Sequence, residues 1–279
     1  MSIKRESISY KLGYFYLPLA ALLIFSLFPF LWTFITSIKS QTELFSPVLQ
    51  YFPTNPTWEN YRELFIMTSF MESMWNSFIV AGASSVVSLV ISLMAAYAFS
   101  RYRFRGRLAI MVSFLTINMF PPVLLLIPLY SIMRGLGILY TPYALIIAYS
   151  TFTIPFAVWL LTGYLNDLPL ALEEAALIDG CNRRQAFFKI ILPLSVPGVI
   201  ATGIYIFITA WNEFIFAVMF TNQETRTLPV ALQAFVGQFD IQWGLLSAGG
   251  VITSLPILIL FVFIQKRLVA GLTAGAVKG

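Results

Sequence analysis

The sequence predicts an all-α membrane protein, and three observations support that prediction. Of the 279 residues, 59% are hydrophobic and 10% are charged, and the mean hydropathy is +0.83. Soluble domains carry about 25% charged residues, well above this fraction. Charge-poor windows long enough to cross a bilayer, which takes roughly 20 apolar residues, recur six times along the chain. We therefore expect one domain with six transmembrane helices.

The predicted spans follow from these windows and from the residues that interrupt them. The second window is rich in Ala, Ser and Gly, which lets helices approach closely within a membrane. In the third window, Pro121 and Pro122 predict a break or a kink. In the fifth, Glu213 is the one charged interruption. The predicted spans are 13–38, 75–100, 108–133, 141–164, 195–220 and 245–264.

Lys and Arg residues predict how the spans are oriented. With six spans both termini lie on one side, and that side collects thirteen of the 17 basic residues. Because cytoplasmic loops are enriched in Lys and Arg, we expect both termini and the loop at 165–193 to be cytoplasmic. The net charge of +5 is then a topology signal, and no nucleic-acid partner is expected. Arg101, Arg103, Arg105 and Arg107 are interpreted as an interfacial anchor.

Residue types that the chain lacks exclude several classes of chemistry. The chain has no His, which excludes His-based acid–base and nucleophilic catalysis, and its single cysteine, Cys181, excludes an internal disulfide. An intramembrane enzyme is disfavoured because H-E-x-x-H and paired aspartates within spans are both missing. No G-x-x-x-x-G-K-[ST] motif is present, so the chain cannot hydrolyse ATP by itself. We expect no catalytic residue, metal or cofactor on it.

The charged segment Asp167–Lys189 separates the fourth and fifth predicted spans and holds seven charged residues. Asp167 is interpreted as a helix N-cap, with Pro169 in the first turn of a helix that reads LALEEAALID. Gly180 is the expected stop of this helix, since glycine is the common residue just after a helix C-terminus. The loop therefore begins with a short helix that ends in a glycine turn.

A second helix is expected directly after that turn. Asn182 and Gln185 have the layout of a capping box, and the helix would run to Pro193. A solvated loop with capped helices would explain the charges. Ala175 and Ala176 nevertheless supply a small apolar patch that such a loop does not need. The residues alone favour a docking site for another protein only modestly over a solvated loop.

The spacing of this loop resembles the EAA motif, E-A-A-x3-G-x9-I-x-L-P, of ATP-binding-cassette importer permeases. Every position of the motif is met, from Glu174-Ala175-Ala176 through Gly180 to Ile190–Pro193. WNEF at 211–214 and the C-terminal GLTAGAVKG resemble the carbohydrate branch, in particular its smaller, maltose-type permease subunits. The resemblance covers essentially the whole chain and implies the type I ABC importer permease (MetI-like) fold.

The resemblance also implies roles for two parts of the chain. The loop at 165–193 would be the coupling helix that sits in a groove on a separate ATPase subunit. The tail at 268–279, too polar and glycine-rich to belong to a span, would insert near the interface of the ATPase dimer. The implied coupling residues are Glu173, Glu174, Ala175, Ala176, Asp179, Gly180, Leu192 and Pro193, and the implied tail residues are Thr273, Gly275 and Lys278.

Glu213 is the only acid in the middle of a predicted span. A charge there costs about 2.5–3.5 kcal/mol on insertion scales, so such acids usually face a cavity or a partner. One interpretation is a structural acid hydrogen-bonded to an adjoining helix, for instance to Asn118. The other is that Asn212 and Glu213 line the substrate path and bind hydroxyl groups while Trp211 stacks on a sugar. Both interpretations are open, and Asn118 is a fourth candidate for the path.

Partners follow from the resemblance as well. It implies a second permease subunit, two ATP-binding subunits that carry ATP and Mg²⁺, an extracytoplasmic solute-binding protein and a sugar or oligosaccharide substrate, in a bacterial or archaeal cytoplasmic membrane. Transport would proceed by alternating access. The alternative is an ion- or proton-coupled secondary transporter. That class predicts several ionisable residues within spans, and Glu213 alone qualifies.

Overall fold

The structure, a computed structural model, describes residues 12–48 and 50–276, and for residues 12 and 266–276 only the course of the backbone. No β-strand occurs within the described ranges, and the all-α prediction is confirmed. In chain order the α-helices are α1 (Leu17–Ser37), α2 (Gln41–Leu44), α3 (Glu59–Ile66), α4 (Phe70–Arg101), α5 (Arg107–Met119), α6 (Leu126–Gly135), α7 (Pro142–Asp167), α8 (Leu170–Ile178), α9 (Arg183–Ala186), α10 (Leu192–Trp211), α11 (Ile215–Phe220), α12 (Leu228–Gln233) and α13 (Trp243–Ala276).

Five helical segments of the described chain are long and apolar enough to cross a membrane, and a bent pair gives a sixth crossing if it is counted as one span. The bend of 96° joins Arg107–Met119 to Pro122–Gly135, which confirms the predicted break at Pro121 and Pro122. Proline lacks the N–H that continues a helix. The five segments are Gly13–Ser37, Phe70–Arg101, Pro142–Asp167, Arg183–Trp211 and Trp243–Gln265.

Two helix boundaries in the charged loop differ from the sequence expectation. Asp167 is the last residue of α7, and Pro169 occupies the N-cap of α8 in its place. The reason is that a residue before proline avoids helical backbone angles. Leu168 accordingly has an extended backbone, with ψ at 123°, so α7 ends at Asp167. The expectation that Asp167 caps the loop helix was therefore wrong.

Pro193 does not end the second loop helix. The helical segment runs without interruption from Arg183 to Trp211, through α9, a π-helical turn at Phe187–Ile191 and α10. In that wide turn the Leu192 N–H donates to the Phe187 carbonyl, five residues back. Because Pro193 has no N–H to donate, the helix lacks one backbone hydrogen bond there. A π-helical turn lets the helix continue past that position. The loop is thus continuous with the fifth span.

The fifth span is itself interrupted, against the expectation of one helix over 195–220. α10 ends at Trp211 and α11 begins at Ile215, so Glu213 lies in a break between two helices.

The last helix is longer than the predicted span at 245–264. Its backbone stays helical to Ala276, because no proline follows Pro256 and Ala, Leu and Val sustain a helix. The described part of the tail, 268–276, thus has a helical backbone. Thr273 and Gly275 lie on this helix, and Lys278 lies outside the described residues. Their implied contact with an ATPase stays a prediction.

The chain divides into two compact units, of which the second comprises residues 71–231 and those from 256 onward. Its packing confirms that the small residues of α4 allow close helix contact. Ser88 Oγ lies 3.1 Å from Ser150 Oγ and 2.9 Å from Thr153 Oγ1, both on α7. A Cβ on Gly198 of α10 would lie 2.6 Å from the Tyr164 ring, so this glycine is required where α10 crosses α7.

The second unit also contains a hydrophobic core. Ala96, Leu161, Leu165 and Ile191 are fully buried, and they come from α4, α7 and the helical segment that follows the charged loop. This core fixes the ends of those helices next to the loop.

The other unit comprises the residues up to 70 and residues 232–255. It contains the short helix α3, in which Leu64 is fully buried. Asn60 on the same helix is buried and donates through Nδ2 to the carbonyls of Ser37 and Lys39, at 2.8 Å each. These bonds tie α3 to the end of α1.

A single carboxylate organises the long loop of this unit. Glu43 Oε1 accepts hydrogen bonds from the N–H groups of Thr54 at 2.8 Å and Asn55 at 3.0 Å, and Oε2 accepts one from Ser40 at 3.4 Å. The bond from Asn55, followed by those from Thr54 and Ser40, holds the pKa of Glu43 below its ordinary value. Because ionised Glu43 is the better acceptor, the loop is more stable above that lowered pKa than below it.

Replacement of Glu43 by Gln is expected to speed amide exchange in residues 50–57 at neutral pH, because a neutral amide accepts these bonds more weakly. The wild-type loop should show the same loss only as the pH falls through the lowered pKa, after correction for the intrinsic exchange rate. Hydrogen–deuterium exchange with mass spectrometry measures both effects. Glu63→Gln on α3 is the matched control and should leave residues 50–57 unchanged. Equal exchange in the two variants would contradict this role.

Candidate functional site: the charged loop and the break near Glu213

Helix α8 has one buried and one exposed face. Glu173 is 3% exposed and Ala176 6% exposed, and both pack against the rest of the chain. Leu170, Glu174 and Ile178 lie on the opposite side, and Ile178 is 86% exposed. Residues four apart share a helix face, so these three form one stripe of two apolar side chains with a carboxylate between them. We call this stripe the exposed face of α8.

The turn after α8 is a Schellman motif built on Gly180. The Cys181 N–H donates to the Ala176 carbonyl at 3.0 Å, and the Gly180 N–H donates to the Leu177 carbonyl at 3.2 Å. Gly180 has a φ of 87°, in the left-handed region that glycine adopts without a steric cost. The predicted glycine stop is confirmed, and it fixes where the exposed face of α8 ends.

The start of the next helix is also as predicted. The Gln185 N–H donates to Asn182 Oδ1 at 2.9 Å, and the Asn182 N–H donates to Gln185 Oε1 at 2.8 Å. This reciprocal capping box satisfies two N–H groups at the helix start. The Arg183 guanidinium lies over the Tyr102 ring, 5.6 Å from its centroid, and orients this end of the loop toward α4.

A buried ion pair connects α8 to α4. Arg101 Nε donates to Glu173 Oε2 at 3.0 Å, and the two side chains are 5% and 3% exposed. Tyr97 Oη donates to the other oxygen, Oε1, at 2.5 Å. Burial of a charge is costly unless it is paired and hydrogen-bonded, and here both carboxylate oxygens have a donor.

Arg101 also binds the end of α7. Its Nη1 donates to the Leu165 carbonyl at 3.1 Å, and its Nη2 donates to the Leu168 carbonyl at 3.4 Å. The interpretation of Arg101 as an interfacial anchor was therefore wrong, because its guanidinium is buried and joins three segments. The alternating arginine pattern could not single out this residue. Tyr97 carried no polar signal within an apolar span, and sequence reasoning missed it too.

The implied coupling residues separate into distinct surroundings. Glu174, Ala175 and Asp179 are exposed on or beside the exposed face of α8, whereas Glu173 and Ala176 are buried. Of the remaining three implied residues, Gly180 forms the turn after α8, and Leu192 and Pro193 lie in the first turn of α10.

In the break between α10 and α11, Glu213 acts as a cap. Its Oε1 accepts the Phe216 N–H at 2.9 Å, and its Oε2 accepts the Ala217 N–H at 3.1 Å. The buried Tyr149 hydroxyl on α7 is close enough to interact electrostatically with this carboxylate. A carboxylate at a helix start satisfies N–H groups that have no partner within the helix. The structural interpretation therefore holds in part: the carboxylate is hydrogen-bonded to the start of α11, while the suggested Asn118 bonds its own helix.

The other path candidates differ in how accessible they are. Trp211 is 1% exposed, with the Phe78 ring 4.8 Å and the Phe207 ring 5.6 Å from its own, so in this conformation it packs in the interior. Asn212 is exposed, and its Nδ2 donates to a carbonyl of its own helix. Asn118 is exposed on α5 and likewise bonds its own helix. A role of any of them in substrate binding stays a prediction.

Comparison with known families gives one match that covers most of the chain. Residues 88–273 match the family described as "Binding-protein-dependent transport system inner membrane component". The matched range includes the whole charged loop, the Arg101–Glu173 ion pair and the Glu213 break.

Similar proteins extend over nearly the full length. The chain is 40% identical over 265 residues to the "Sulfoquinovosyl glycerol transport system permease protein SmoH" of Agrobacterium fabrum, covering 95% of this chain and 93% of that protein. It is 40% identical over 261 residues to the "Trehalose/maltose transport system permease protein MalG" of Thermococcus litoralis, covering 92% and 93%. A chain of a bacterial ABC transporter involved in alginate import has the same fold, with a TM-score of 0.78, 23% identity and coverage of 90% and 93%.

Gly180→Ala is expected to loosen the Schellman turn, because a side chain at positive φ costs about 1–2 kcal/mol. Amide exchange at residues 177–181 should accelerate about fivefold or more, as a cost of that size implies. Hydrogen–deuterium exchange measures this change. Gly180→Asn should cost less, since Asn tolerates the left-handed region better.

Gly163→Ala on α7 is the matched control for that experiment. It introduces the same methyl group into open space at an ordinary helical position, and should leave the turn unchanged. An equal effect of Gly163→Ala, or none of Gly180→Ala, would show that the positive φ does not hold the turn.

Proposed function

The chain belongs to the family of binding-protein-dependent transport system inner membrane components, and we propose that it is one permease subunit of an ATP-driven importer of a sugar or oligosaccharide. The expected importer-permease fold is confirmed by this membership and by the likeness to the alginate transporter chain. Membership also favours this function over the ion-coupled secondary transporter, which needs ionisable groups within its spans.

The observation that carries the proposal is the exposed face of α8. A short helix between two spans presents Leu170 and Ile178 to solvent on either side of Glu174, although water alone would favour polar side chains there. A partner with an apolar groove and a basic group would bury this stripe and pair with its carboxylate. We assign this partner as one of two separate ATP-binding subunits, on which ATP and Mg²⁺ would bind.

The relatives support the class of substrate. Relatives at 39–40% identity are permease proteins of transport systems for sulfoquinovosyl glycerol, trehalose/maltose and diacetylchitobiose. A polyhydroxylated ligand of this kind would reach the chain from an extracytoplasmic solute-binding protein. Alternating access would then carry it inward, and ATP binding and hydrolysis on the partner would drive the cycle.

A second permease subunit would complete the translocation path. In the segment Gly13–Ser37 the most apolar window has no buried residue, so this part of the helix is open to lipid or to another subunit. Packing between helices of two subunits would bury part of it. The multi-pass chain would lie in a cytoplasmic membrane with both termini inside, as the distribution of Lys and Arg favours.

The Glu213 break suits a place on that path. Helix interruptions in transporters lie where the backbone lines a cavity, since lipid cannot satisfy free backbone groups. Asn212 is exposed beside the carboxylate, so the two side chains together could accept and donate hydrogen bonds to a sugar hydroxyl.

Glu174→Lys is expected to release the ATP-binding subunits. It places a cation where the docking partner supplies a basic group, and a weakening of about tenfold requires only 1.4 kcal/mol. The measurement is the amount of ATP-binding subunit that co-purifies with the chain from its native operon. Glu72→Lys, an exposed acid at the opposite end of α4 from Arg101, is the matched control. Undiminished co-purification in Glu174→Lys would contradict the docking assignment.

Glu213→Gln is expected to lower uptake of the cognate sugar about tenfold or more, because hydrogen bonds to a charged group contribute about 1.5–3 kcal/mol. Gln retains a carbonyl oxygen for one of the two capped N–H groups, which limits the damage to the fold. Uptake of labelled disaccharides into proteoliposomes, together with sugar-stimulated ATP hydrolysis, measures the effect. Glu224→Gln, in an exposed turn, is the control. If both activities stayed at wild-type level at equal protein amounts, Glu213 would have no place on the path.

A further inference from the structure

The two adjacent acids of α8 have opposite surroundings. Glu174 is exposed, whereas Glu173 is 3% exposed. A residue that docks on another protein must be accessible to it, and Glu173 is not. Its neighbours all belong to this chain, so its function must be sought inside the permease.

Both carboxylate oxygens of Glu173 are hydrogen-bonded within this chain. Oε2 accepts from Arg101 Nε and Oε1 accepts from the Tyr97 hydroxyl, and the arginine that pairs with it is equally buried. Removal of one partner would leave an uncompensated charge in a region of low dielectric, which makes such pairs hard to break once formed. The ion pair therefore holds one defined geometry between α8 and α4.

Four segments converge on this pair. Arg101 and Tyr97 lie on α4, and Arg101 also donates to the carbonyls of Leu165 and Leu168 at the end of α7. The Tyr97 ring packs edge-on against Phe187, 4.8 Å between centroids, on the helical segment that continues into the fifth span. A displacement of α8 would thus exert force on three spans at the ion pair: α4, α7 and the fifth span.

We propose that Arg101, Glu173 and Tyr97 form a joint that transmits displacement of α8 to the membrane-spanning helices. Glu173 is a positioning residue within this joint, and Glu174 alone of the two acids contacts the ATP-binding subunit. This inference rests on the proposed function, since it assigns how motion that enters at the exposed face of α8 reaches the spans. Apolar packing alone would let α8 slide, whereas two directional bonds to α4 resist sliding, and Arg101 in turn bonds the end of α7.

The test is the number of ATP molecules hydrolysed per sugar imported by the complete transporter in proteoliposomes. For Glu173→Gln we expect this ratio to rise at least about fivefold, the lower end of typical coupling between two sites. The ATP-binding subunits should still co-purify. A purely stabilising role would lower the amount of active complex and leave the ratio unchanged. Arg101→Lys should give an intermediate ratio, because one ammonium group cannot reach Glu173 and both carbonyls together.

Tyr97→Phe keeps the inference testable if Glu173→Gln fails to fold. It removes only the hydroxyl and retains the ring against Phe187, and the ratio should rise about twofold, as loss of one hydrogen bond implies. Glu72→Gln should leave the ratio at the wild-type value.

Two results would overturn the joint. The first is a wild-type ratio in the folded variants of Glu173 and Tyr97. The second is loss of the ATP-binding subunits in Glu173→Gln, which would make Glu173 a docking residue. Failure of the proposed function would be recognised separately, because the wild-type chain would then purify without any ATP-binding subunit.

Discussion

The architecture around the charged loop depends on the Arg101–Glu173 ion pair. Two charges are removed from water there, and the cost is offset only because every strong donor and acceptor finds a partner: the carboxylate, the Tyr97 hydroxyl and two carbonyls at the end of α7. This requirement leaves α8 one orientation. Once Glu173 is turned inward, helical periodicity turns Glu174 outward together with Leu170 and Ile178. The apolar exposed face is thus a consequence of the buried pair.

Continuity of the backbone extends that constraint toward the membrane interior. The helix that begins with the Asn182 capping box passes through a π-helical turn and Pro193 and ends only at Trp211. Its far end adjoins the Glu213 break. A wide turn costs some helix stability, but it admits the proline without a second break. The second loop helix and the Glu213 break therefore lie at opposite ends of one continuous helix, and α8 joins that helix through the turn at Gly180.

Several of these features could be predicted from the sequence, because the residues that form them lie close together in the chain. Gly180 and the pair Asn182–Gln185 act within a few residues of themselves, so their spacing alone predicted the turn and the cap that the structure contains. Arg101 is different, because its partners lie more than sixty residues away and three further arginines follow it in the same alternating pattern. The prediction that Asp167 caps the loop helix was wrong for a local reason, because Pro169, two residues later, gives Leu168 an extended backbone.

The Glu213 break would let a structural role and the proposed transport role coexist in one side chain. A carboxylate offers about four acceptor positions, and two are taken by the N–H groups of Phe216 and Ala217. The cap therefore fixes where the oxygens lie and leaves acceptor capacity for Tyr149 and for a ligand hydroxyl. A freely rotating acid would have to be ordered when the ligand binds, at a cost in side-chain entropy. A capped acid is ordered beforehand, so the same bonds that close the helix start would also prepare the proposed site.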